Sequence, residues 1–440
     1  MSRTSLLALA GLAVACTDGD GEPTSSTTHA TSPARDVTAT VAPDMPTVVT
    51  VTWRTDGDQP GHVAFGVDGA FDRDTPEDAG GTEHSAVLVG LPPEATVSFR
   101  VVSGDVDNEP QDVVTGALDP DLPELTVEGT HDRWTAVPLL RDGEARIVLL
   151  DPQGRVTWSY RDPGELSVFR ALVARDGSGL IYNSVVRGGL PAEDSALIRV
   201  SWDGATVERV DVPNLAHDFV ELPDGTLVSL AFQDRDGVLG NALLAVDRAG
   251  TVTELWNSWD CFDPDADPGD DPAQGWTHAN ALDYDAERDV FLVGLRNLST
   301  LVAVDRATGT CRWSLGVAGD LAASGGSFLH EHQFHLLSDR VLVFDNDGAA
   351  GRESRMLEYA LDEGAGTAEV VREIHADPPL FSFILGDVHR LPDGDTLVAW
   401  GTGAALDRYA PDDTRTFRAA LPNGNVYGFF QILDDPYTVP

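Results

Sequence analysis

Three polar residues interrupt a stretch whose pattern is otherwise that of two β-strands and a turn. In GWTHANALDYDAERDVFLVGLRNLSTLVAVD, residues 275–305, His278 and Asn280 stand two positions apart and Arg296 follows the second apolar run. Residues two apart on a strand share one face, so His278 and Asn280 can point the same way. An imidazole, an amide and a guanidinium can together bind oxygens and move a proton. The stretch therefore predicts a site that binds a small oxyanion.

Two further histidines occupy the corresponding place in neighbouring copies of a repeat. His217, His278 and His332 follow one another at spacings of 61 and 54 residues, and each stands before a strand-like run. We expect each to open the first strand of its repeat and to face a shared channel. The alternative is one polar residue per repeat that only holds strand ends and ordered water. His335 and His389 fall three positions later in the same frame, and we assign them as further substrate-binding candidates if a bulge turns them inward.

Metal binding is the weaker interpretation of these histidines. His330, His332 and His335 form H-x-H-x-x-H, which on a strand turns the third ligand to the wrong face, and no cysteine lies near. We therefore predict no metal at this site and no cofactor. A calcium ion in the aspartate-rich loop 263–271 is an open alternative.

Repetition, and not helical periodicity, organises residues 120–440. HDFVELPDGTLVSLA followed by LLAVDRAGTVTELWN is one copy, and HANALDYDAERDVFLVGL with TLVAVDRATGTCRWSLG is another. Frequent turn signals and a repeat of this length are typical of a propeller blade. We predict an all-β protein whose main domain is a six-bladed β-propeller with its innermost strands around the channel.

A small β domain is predicted upstream, at residues 36–117. TVVTVTWRTD alternates as a strand does, and SAVLVGLPPEATVSFRVVSGD resembles the later part of a fibronectin type III sandwich. That resemblance implies a β-sandwich and no particular chemistry.

The first sixteen residues have the features of an export signal. MSRTSLLALAGLAVAC resembles a bacterial lipoprotein signal, which implies lipidation of Cys16, a flexible linker over 17–35 and a possible membrane lipid anchor. We expect a bacterial lipoprotein in the periplasm or at the outer membrane or cell surface. In that oxidising compartment Cys261 and Cys311 predict a disulfide, with two unpaired cysteines as the alternative.

The charge balance excludes several functions. There are 29 basic and 72 acidic residues, for a net charge of −43, and every basic residue is arginine. Without lysine there is no P-loop or Schiff-base chemistry. So acidic a chain is not expected to bind nucleic acid, whose phosphates would repel it. No feature of the sequence indicates an oligomeric state.

Over about residues 205–405 the chain resembles the bacterial arylsulfate sulfotransferase family. The resemblance rests on H-x-N with a following arginine, and on a histidine ahead of LLSDRVLVFDN, although HEHQFHLL stands where that family commonly has Q-H-D. It implies a periplasmic six-bladed propeller that moves a sulfuryl group from a phenolic sulfate to a phenol through a sulfated histidine. It further implies no adenylyl sulfate donor.

Residue by residue, the resemblance implies that His332 is the nucleophile. His278, Asn280 and Arg296 would then hold the sulfuryl oxygens, and His217 would lie near the acceptor or leaving oxygen. One alternative is a catalytically inactive surface propeller that binds a small anion or a protein or glycan partner. Another is a different propeller enzyme, namely a hydrolase, a lyase or a quinone-dependent oxidoreductase.

Overall fold

The computed structural model describes residues 33–142, 144–164, 166–186, 190–347 and 353–438. The predicted signal peptide 1–16, Cys16 and most of the linker 17–35 lie outside these residues. Within them, no helix has the length and apolar character needed to cross a membrane.

The N-terminal strands form two small sheets. One has the order β1-β2-β5 and the other β4-β3-β6-β7, with β8 paired to β6. Their bounds are β1 Arg35–Ala42, β2 Met45–Arg54, β3 Gly61–Val67, β4 Arg73–Asp74, β5 Glu83–Leu88, β6 Thr96–Ser103, β7 Val106–Asp107 and β8 Gln111–Val114. Side chains from both sheets, Trp53, Phe65 and Phe99 among them, share one buried cluster because alternate residues of each strand face inward. Kinship with the fibronectin type III family stays a prediction.

The described residues from β9 onwards form six four- or five-stranded sheets, which are the blades of a β-propeller, as predicted; their strands pair antiparallel except for β25, which pairs with β29 in parallel. Blade 1 holds β10 Trp134–Arg141, β11 Glu144–Leu150, β12 Val156–Arg161, β34 Asn425–Tyr427 and β35 Gln431–Leu433; blade 2 holds β13 Ala171–Val173, β14 Gly179–Ser184, β15 Ala196–Ser201 and β16 Val207–Asp211; blade 3 holds β17 Leu215–Glu221, β18 Leu227–Arg235, β19 Val238–Val246 and β20 Val252–Asn257. Blade 4 holds β21 Ala279–Asp285, β22 Val290–Leu295, β23 Thr300–Asp305 and β24 Cys311–Gly316; blade 5 holds β25 Ala322–Ser324, β26 Phe334–Leu336, β27 Arg340–Asp345, β28 Arg355–Asp362 and β29 Thr367–His375; blade 6 holds β30 Asp387–Arg390, β31 Thr396–Ala399, β32 Ala405–Tyr409, β33 Arg415–Ala420 and the early strand β9 Thr126–Gly129. Four short 3-10 helices complete the elements: η1 Ser258–Asp260, η2 Pro272–Gln274, η3 Arg296–Leu298 and η4 Gly401–Gly403.

Strands from both ends of the propeller close the ring. In blade 1, Leu139 of β10 pairs with Tyr427 of β34, and in blade 6, Phe417 of β33 pairs with Gly129 of β9. A closed ring leaves few open strand edges, which protects the sheets from pairing with other chains.

The core lies between neighbouring blades. Leu230 and Leu243 of blade 3 pack in one buried cluster with Phe291 and Val293 of blade 4. Each strand presents apolar residues to both sides here, since a blade is covered on both faces by its neighbours. Truncating such a side chain to alanine typically costs about 3–5 kcal/mol for phenylalanine.

The blade topology sets where polar residues can meet. In an antiparallel blade the start of the first strand and the end of the second lie at the same face of the ring. His278 precedes β21 and Arg296 follows β22 in blade 4, while His332 precedes β26 and Asn346 follows β27 in blade 5. All four therefore reach the same end of the channel, which we call the upper face.

Candidate active site

Three histidines from three blades meet at the upper face. The rings of His217 and His278 lie 4.8 Å apart, edge to face, and His217 stacks on Phe169 at 5.2 Å. His332 lies 6.3 Å from the ring of Phe429. All three histidines are buried, with 5%, 3% and 2% of their surface exposed for His217, His278 and His332. His217 is the third residue of β17, not its opening residue as expected, because a bulge in that strand shifts the frame.

His332 is held in one orientation by an amide. Its Nδ1–H donates to Oδ1 of Asn346 at 2.8 Å. Nδ2 of Asn346 donates in turn to the carbonyl oxygens of Ser382 and Leu385, both at 2.8 Å, which fixes which end of the amide faces the ring. Since Nδ1 carries the proton, Nε2 carries a free lone pair. His332 is thus arranged as a nucleophile.

His278 has the same tautomer for a different reason. Its Nδ1–H donates to the carbonyl oxygen of Gln274 at 2.9 Å, and its backbone has a φ of +44°. A left-handed conformation at a residue other than glycine is uncommon and is found where surrounding structure holds it. Gln274 belongs to the long connection between blades 3 and 4. Cys261 of the same connection is joined by a disulfide to Cys311 of β24, with Cα atoms 6.3 Å apart.

Asn280 and Arg296 lie beside these histidines. Nδ2 of Asn280 donates to the carbonyl oxygen of Glu331 at 2.6 Å, and the amide is fully buried. Arg296 stands in η3, where its guanidinium donates to Oδ1 of Asn297 at 2.7 Å. Among the ion pairs formed by described residues, none contains Arg296, so its charge is not neutralised by a bound carboxylate.

Burial keeps the imidazoles neutral. It lowers the pKa of His332 to about 3 and that of His278 to about 4, and the positive charge of Arg296 adds to both effects. The pKa of His217 is also held well below its ordinary value, by burial and then by the other two histidines. Burial raises the pKa of the Glu331 carboxyl to about 8, so this side chain is mostly protonated at neutral pH. Arg296 is therefore the main positive charge at the site.

Several buried polar atoms at this site have no hydrogen-bond partner among the residues that the structure describes. They are Nδ1 of His217, Oδ1 of Asn280 and both carboxyl oxygens of Glu331. Buried polar groups are nearly always paired, and unpaired ones are often found where a protein binds or transforms a ligand. The neutral Glu331 also avoids placing a negative charge near an incoming anion.

A buried ionic layer lies on the inner strands beside the histidines. Nε of Arg170 donates to Oδ1 of Asp218 at 2.8 Å, and Nη1 lies 3.7 Å from Oδ2 of Asp387. Asp218 also accepts from Gln333 and from the backbone of Leu282. Burial raises the pKa of Asp387 to about 7, and Arg170 opposes that rise.

The sequence analysis missed this layer, although a pattern could have revealed it. Arg170, Asp218 and Asp387 each stand six residues before the aspartate of a turn, at Asp176, Asp224 and Asp393. Aligning the repeats on their turns, and not on their histidines, places all three at one level of the inner strands.

His335 and His389 lie apart from the upper site. Their rings are 4.6 Å from each other, and Nδ1 of His335 accepts the backbone N–H of Arg390. Three residues of extended strand separate His335 from His332, a span of roughly 10 Å. Both line a cavity of about 250 Å³ with Asp283 and Arg288. The structure therefore does not bring these two predicted binding residues to His332.

Within the described part of the chain, no group of three or more histidine, cysteine or acidic side chains is arranged to hold a metal ion. The loop 263–271 belongs to that part. Asp263 and Asp267 bond there to backbone N–H groups of the same loop.

Comparisons with known proteins give one family. A family model described as Arylsulfotransferase (ASST) matches residues 126–416. No curated protein matches the chain.

Similar solved structures include a protein of unknown function from Bacteroides caccae (TM-score 0.47, 12% identity, covering 68% of this chain and 100% of its own), TolB from Acinetobacter baumannii (0.45, 12%, 77% and 80%) and the periplasmic gluconolactonase PpgL of Pseudomonas aeruginosa (0.42, 14%, 85% and 99%). Their TM-scores are too low to support any statement on function.

Proposed function

The chain belongs to the arylsulfotransferase family, whose model matches more than half of its length, and from that premise we propose that it transfers a sulfuryl group from a phenolic sulfate ester to a phenolic acceptor through a sulfohistidine at His332. No adenylyl sulfate donor and no cofactor take part. We further propose, from residues 1–16 alone, that the protein is exported and lipidated at Cys16.

The observation that carries the proposal is the orientation of His332. Because Oδ1 of Asn346 accepts a hydrogen bond from Nδ1–H of His332, the proton stays on Nδ1 and the Nε2 lone pair can attack sulfur. An N–S bond forms as the bond from sulfur to the aryl oxygen breaks, and a phenolate leaves. In the second half the oxygen of an acceptor phenol attacks sulfur, the N–S bond breaks, and the acceptor proton passes to a base.

Arg296 and Asn280 stabilise the group in transfer. Negative charge is spread over three sulfuryl oxygens, so fixed donors aimed at them lower the barrier, much as in phosphoryl transfer. Arg296 offers a planar fork of donors, and Asn280 keeps one N–H after bonding to Glu331. In a protein with a net charge of −43, this local positive charge also offsets long-range repulsion of an anionic ester.

His217 and His278 handle the proton of the attacking oxygen. Both are neutral in the free protein, as their lowered pKa values require. A neutral imidazole can accept the proton that the acceptor phenol loses as its oxygen attacks sulfur. Such general base catalysis contributes roughly 10²–10⁴-fold.

Mass spectrometry tests the proposal directly. The purified protein is incubated briefly with 4-nitrophenyl sulfate and no acceptor, then digested and mapped. We expect a gain of one SO₃ group on the peptide that contains His332, and its loss when phenol is added. A folded sample that gains no SO₃ and releases no nitrophenol would contradict the proposal and favour the inactive, anion-binding propeller.

Replacing Asn346 with leucine is expected to slow adduct formation by about 10²-fold, since nothing then holds the proton on Nδ1 of His332. Asn346→Asp keeps an acceptor oxygen towards Nδ1 of His332 but turns its second oxygen to the carbonyls of Ser382 and Leu385, so circular dichroism must first show that it folds. It should retain more of the rate than Asn346→Leu and raise the pKa of His332, because a carboxylate favours the imidazolium. Stopped-flow release of nitrophenol measures both variants. Equal rates for Asn346→Leu and the unmodified protein would show that the tautomer is not controlled here.

The rate is expected to fall at low pH only well below the ordinary pKa of histidine. The pKa values of about 4 for His278 and about 3 for His332 mean that both stay unprotonated as the pH falls from about 8 to about 5. kcat/KM should be level between about pH 7 and pH 5 and fall near pH 4, whereas above pH 7 the ionisation of Glu331, whose pKa is about 8, adds a negative charge at the site and should lower kcat/KM. The assay is base-quenched nitrophenol release, with circular dichroism at each pH as the control for folding. A tenfold loss by about pH 5.5 would indicate a solvated histidine with the usual pKa near 6.5.

A further inference from the structure

A cavity of about 510 Å³ lies between blades 2 and 3, a size that suits a small molecule, and we call it the blade 2–3 cleft. Its apolar wall includes Ile181, Leu197 and Val246, all almost fully buried. Glu208 of β16 and Arg248, in the turn between β19 and β20, line it as well. A turn from a third to a fourth strand lies at the end of the ring opposite the upper face, because the first strand begins at that face. The cleft is therefore separate from the histidine site.

In three other blades an aromatic ring fills the corresponding place. Trp158, Trp313 and Phe417 each stand four residues after the left-handed residue of the turn between the third and fourth strands. They are 0%, 5% and 1% exposed, and each shares a buried cluster with side chains of the next blade. In blade 2 that position, four residues after Gly204, is Glu208. The cleft is thus the place of a ring that blade 2 lacks.

Arg248 likewise stands where the next blade supplies a partner for such a ring. Between blades 1 and 2, Trp158 lies edge to face with Trp202, with ring centroids 5.6 Å apart, and donates to its carbonyl oxygen at 2.9 Å. Trp202 and Arg248 each stand two residues before the left-handed glycine of their turns. An aromatic pair between blades 1 and 2 therefore corresponds to Glu208 and Arg248 between blades 2 and 3.

These two opposite charges are not used within the protein. Among the described residues, neither Glu208 nor Arg248 takes part in an ion pair or a side-chain hydrogen bond, whereas Asp176 of the same wall pairs with Arg199 at 3.2 Å. The guanidinium of Arg248 lies against Gly225, where a Cβ would stand 2.7 Å from Nη2. Both Glu208 and Arg248 are exposed to water, so their charges cost little in the empty cleft and stay available to a ligand.

We propose that the blade 2–3 cleft binds a free aromatic amino acid, with its ring in the place of the missing indole, its carboxylate on Arg248 and its ammonium group on Glu208. The two charges of such a ligand lie on one carbon, and side chains at these two positions reach one another, as Trp158 and Trp202 show. A guanidinium binds a carboxylate with two parallel hydrogen bonds. The ring covers apolar wall that water otherwise wets, which favours binding. This binding does not depend on sulfuryl transfer at His332.

Isothermal titration calorimetry of the whole protein with L-tryptophan tests the proposal without any turnover. The unmodified protein should bind L-tryptophan, and Arg248→Gln should bind it about tenfold more weakly, because the carboxylate loses a charged hydrogen-bond partner. Indole has the ring without the charges and should bind both proteins equally. Alanine has the charges without the ring and should bind neither.

Glu208→Trp should fill the cleft with a ring of the chain itself. Binding of both L-tryptophan and indole should then be lost, and the melting temperature should rise, because apolar surface becomes buried. Val207→Trp is the matched control. Val207 is 53% exposed and lies on the other face of β16, since Thr206, Glu208 and Val210 line the cleft. This control should bind L-tryptophan like the unmodified protein.

Three results would each overturn the proposal: no binding of L-tryptophan by the unmodified protein, binding that Glu208→Trp leaves unchanged, or binding that Arg248→Gln leaves unchanged. The last result, with indole still bound, would show a site for an uncharged ring. None of them bears on the sulfohistidine at His332, which the adduct measurement tests by itself.

Discussion

Substituting His332 with alanine is expected to abolish the SO₃ adduct and to lower kcat for nitrophenol release by roughly 10⁴-fold or more, because a covalent route without its nucleophile has no partial substitute. The residual rate would come from binding and from the charge of Arg296 alone. Quantitative mass spectrometry and a continuous nitrophenol assay measure the two effects. The fold should survive, since the change removes one hydrogen bond, from His332 to Asn346.

His375→Ala is the matched control. That histidine ends β29 in the outer part of blade 5, where its side chain is 45% exposed and bonds to Glu353 and Glu373, with β28 and β27 between β29 and the inner strand. It should keep both adduct and turnover. His335→Ala discriminates further, because the sequence interpretation placed His335 at the site and the structure places it with His389. Adduct formation should persist in His335→Ala, and its loss would restore the sequence assignment. An adduct that persists in His332→Ala would remove His332 from the mechanism.

Replacing Arg170 with methionine is expected to destabilise the protein by about 3–5 kcal/mol, the usual cost of removing one partner from a buried ion pair. Arg170 and Asp218 are almost completely buried, and Asp218 has no other cationic neighbour among the ion pairs of described residues. The carboxylate left behind must stay charged without its partner or take up a proton. Urea unfolding followed by tryptophan fluorescence measures the free energy of unfolding.

The control for this change is Arg209→Met. Arg209 pairs with Asp211, and both side chains are exposed, at 43% and 71%. Surface ion pairs contribute little to stability because water and salt screen them, so the free energy of unfolding of Arg209→Met should be nearly that of the unmodified protein. A second variant, Arg170→Met/Asp218→Asn, should recover part of the lost stability by removing the stranded charge. If Arg170→Met unfolds like the unmodified protein, the buried layer does not stabilise the propeller.

The repeat pattern alone was sufficient to predict the propeller. Alternating strands, turn signals and a period of 54 to 61 residues are local features, and each blade is built from contacts between strands that follow one another in the chain. Because His217, His278 and His332 occupy corresponding positions in successive repeats, the sequence also indicated that they would approach one end of the channel. H-x-N and the arginine that follows were enough to indicate the family, which the family model confirms.

Only the tertiary structure decided what those residues can do. The tautomer of His332 depends on Asn346, and the orientation of that amide depends on carbonyls of Ser382 and Leu385 in the connection between blades 5 and 6. The ionic layer joins Arg170 to Asp218 and to the carbonyl of Phe430, partners 48 and 260 positions away. The inward placement of His335 and His389 depended on a bulge, but the registers of β26 and β30 show no shift, whereas those of β17 and β21 do, and only the structure could decide which first strands are bulged. A one-dimensional pattern records which residues recur, whereas burial, protonation and hydrogen-bond direction arise from contacts between blades that the ring alone brings together.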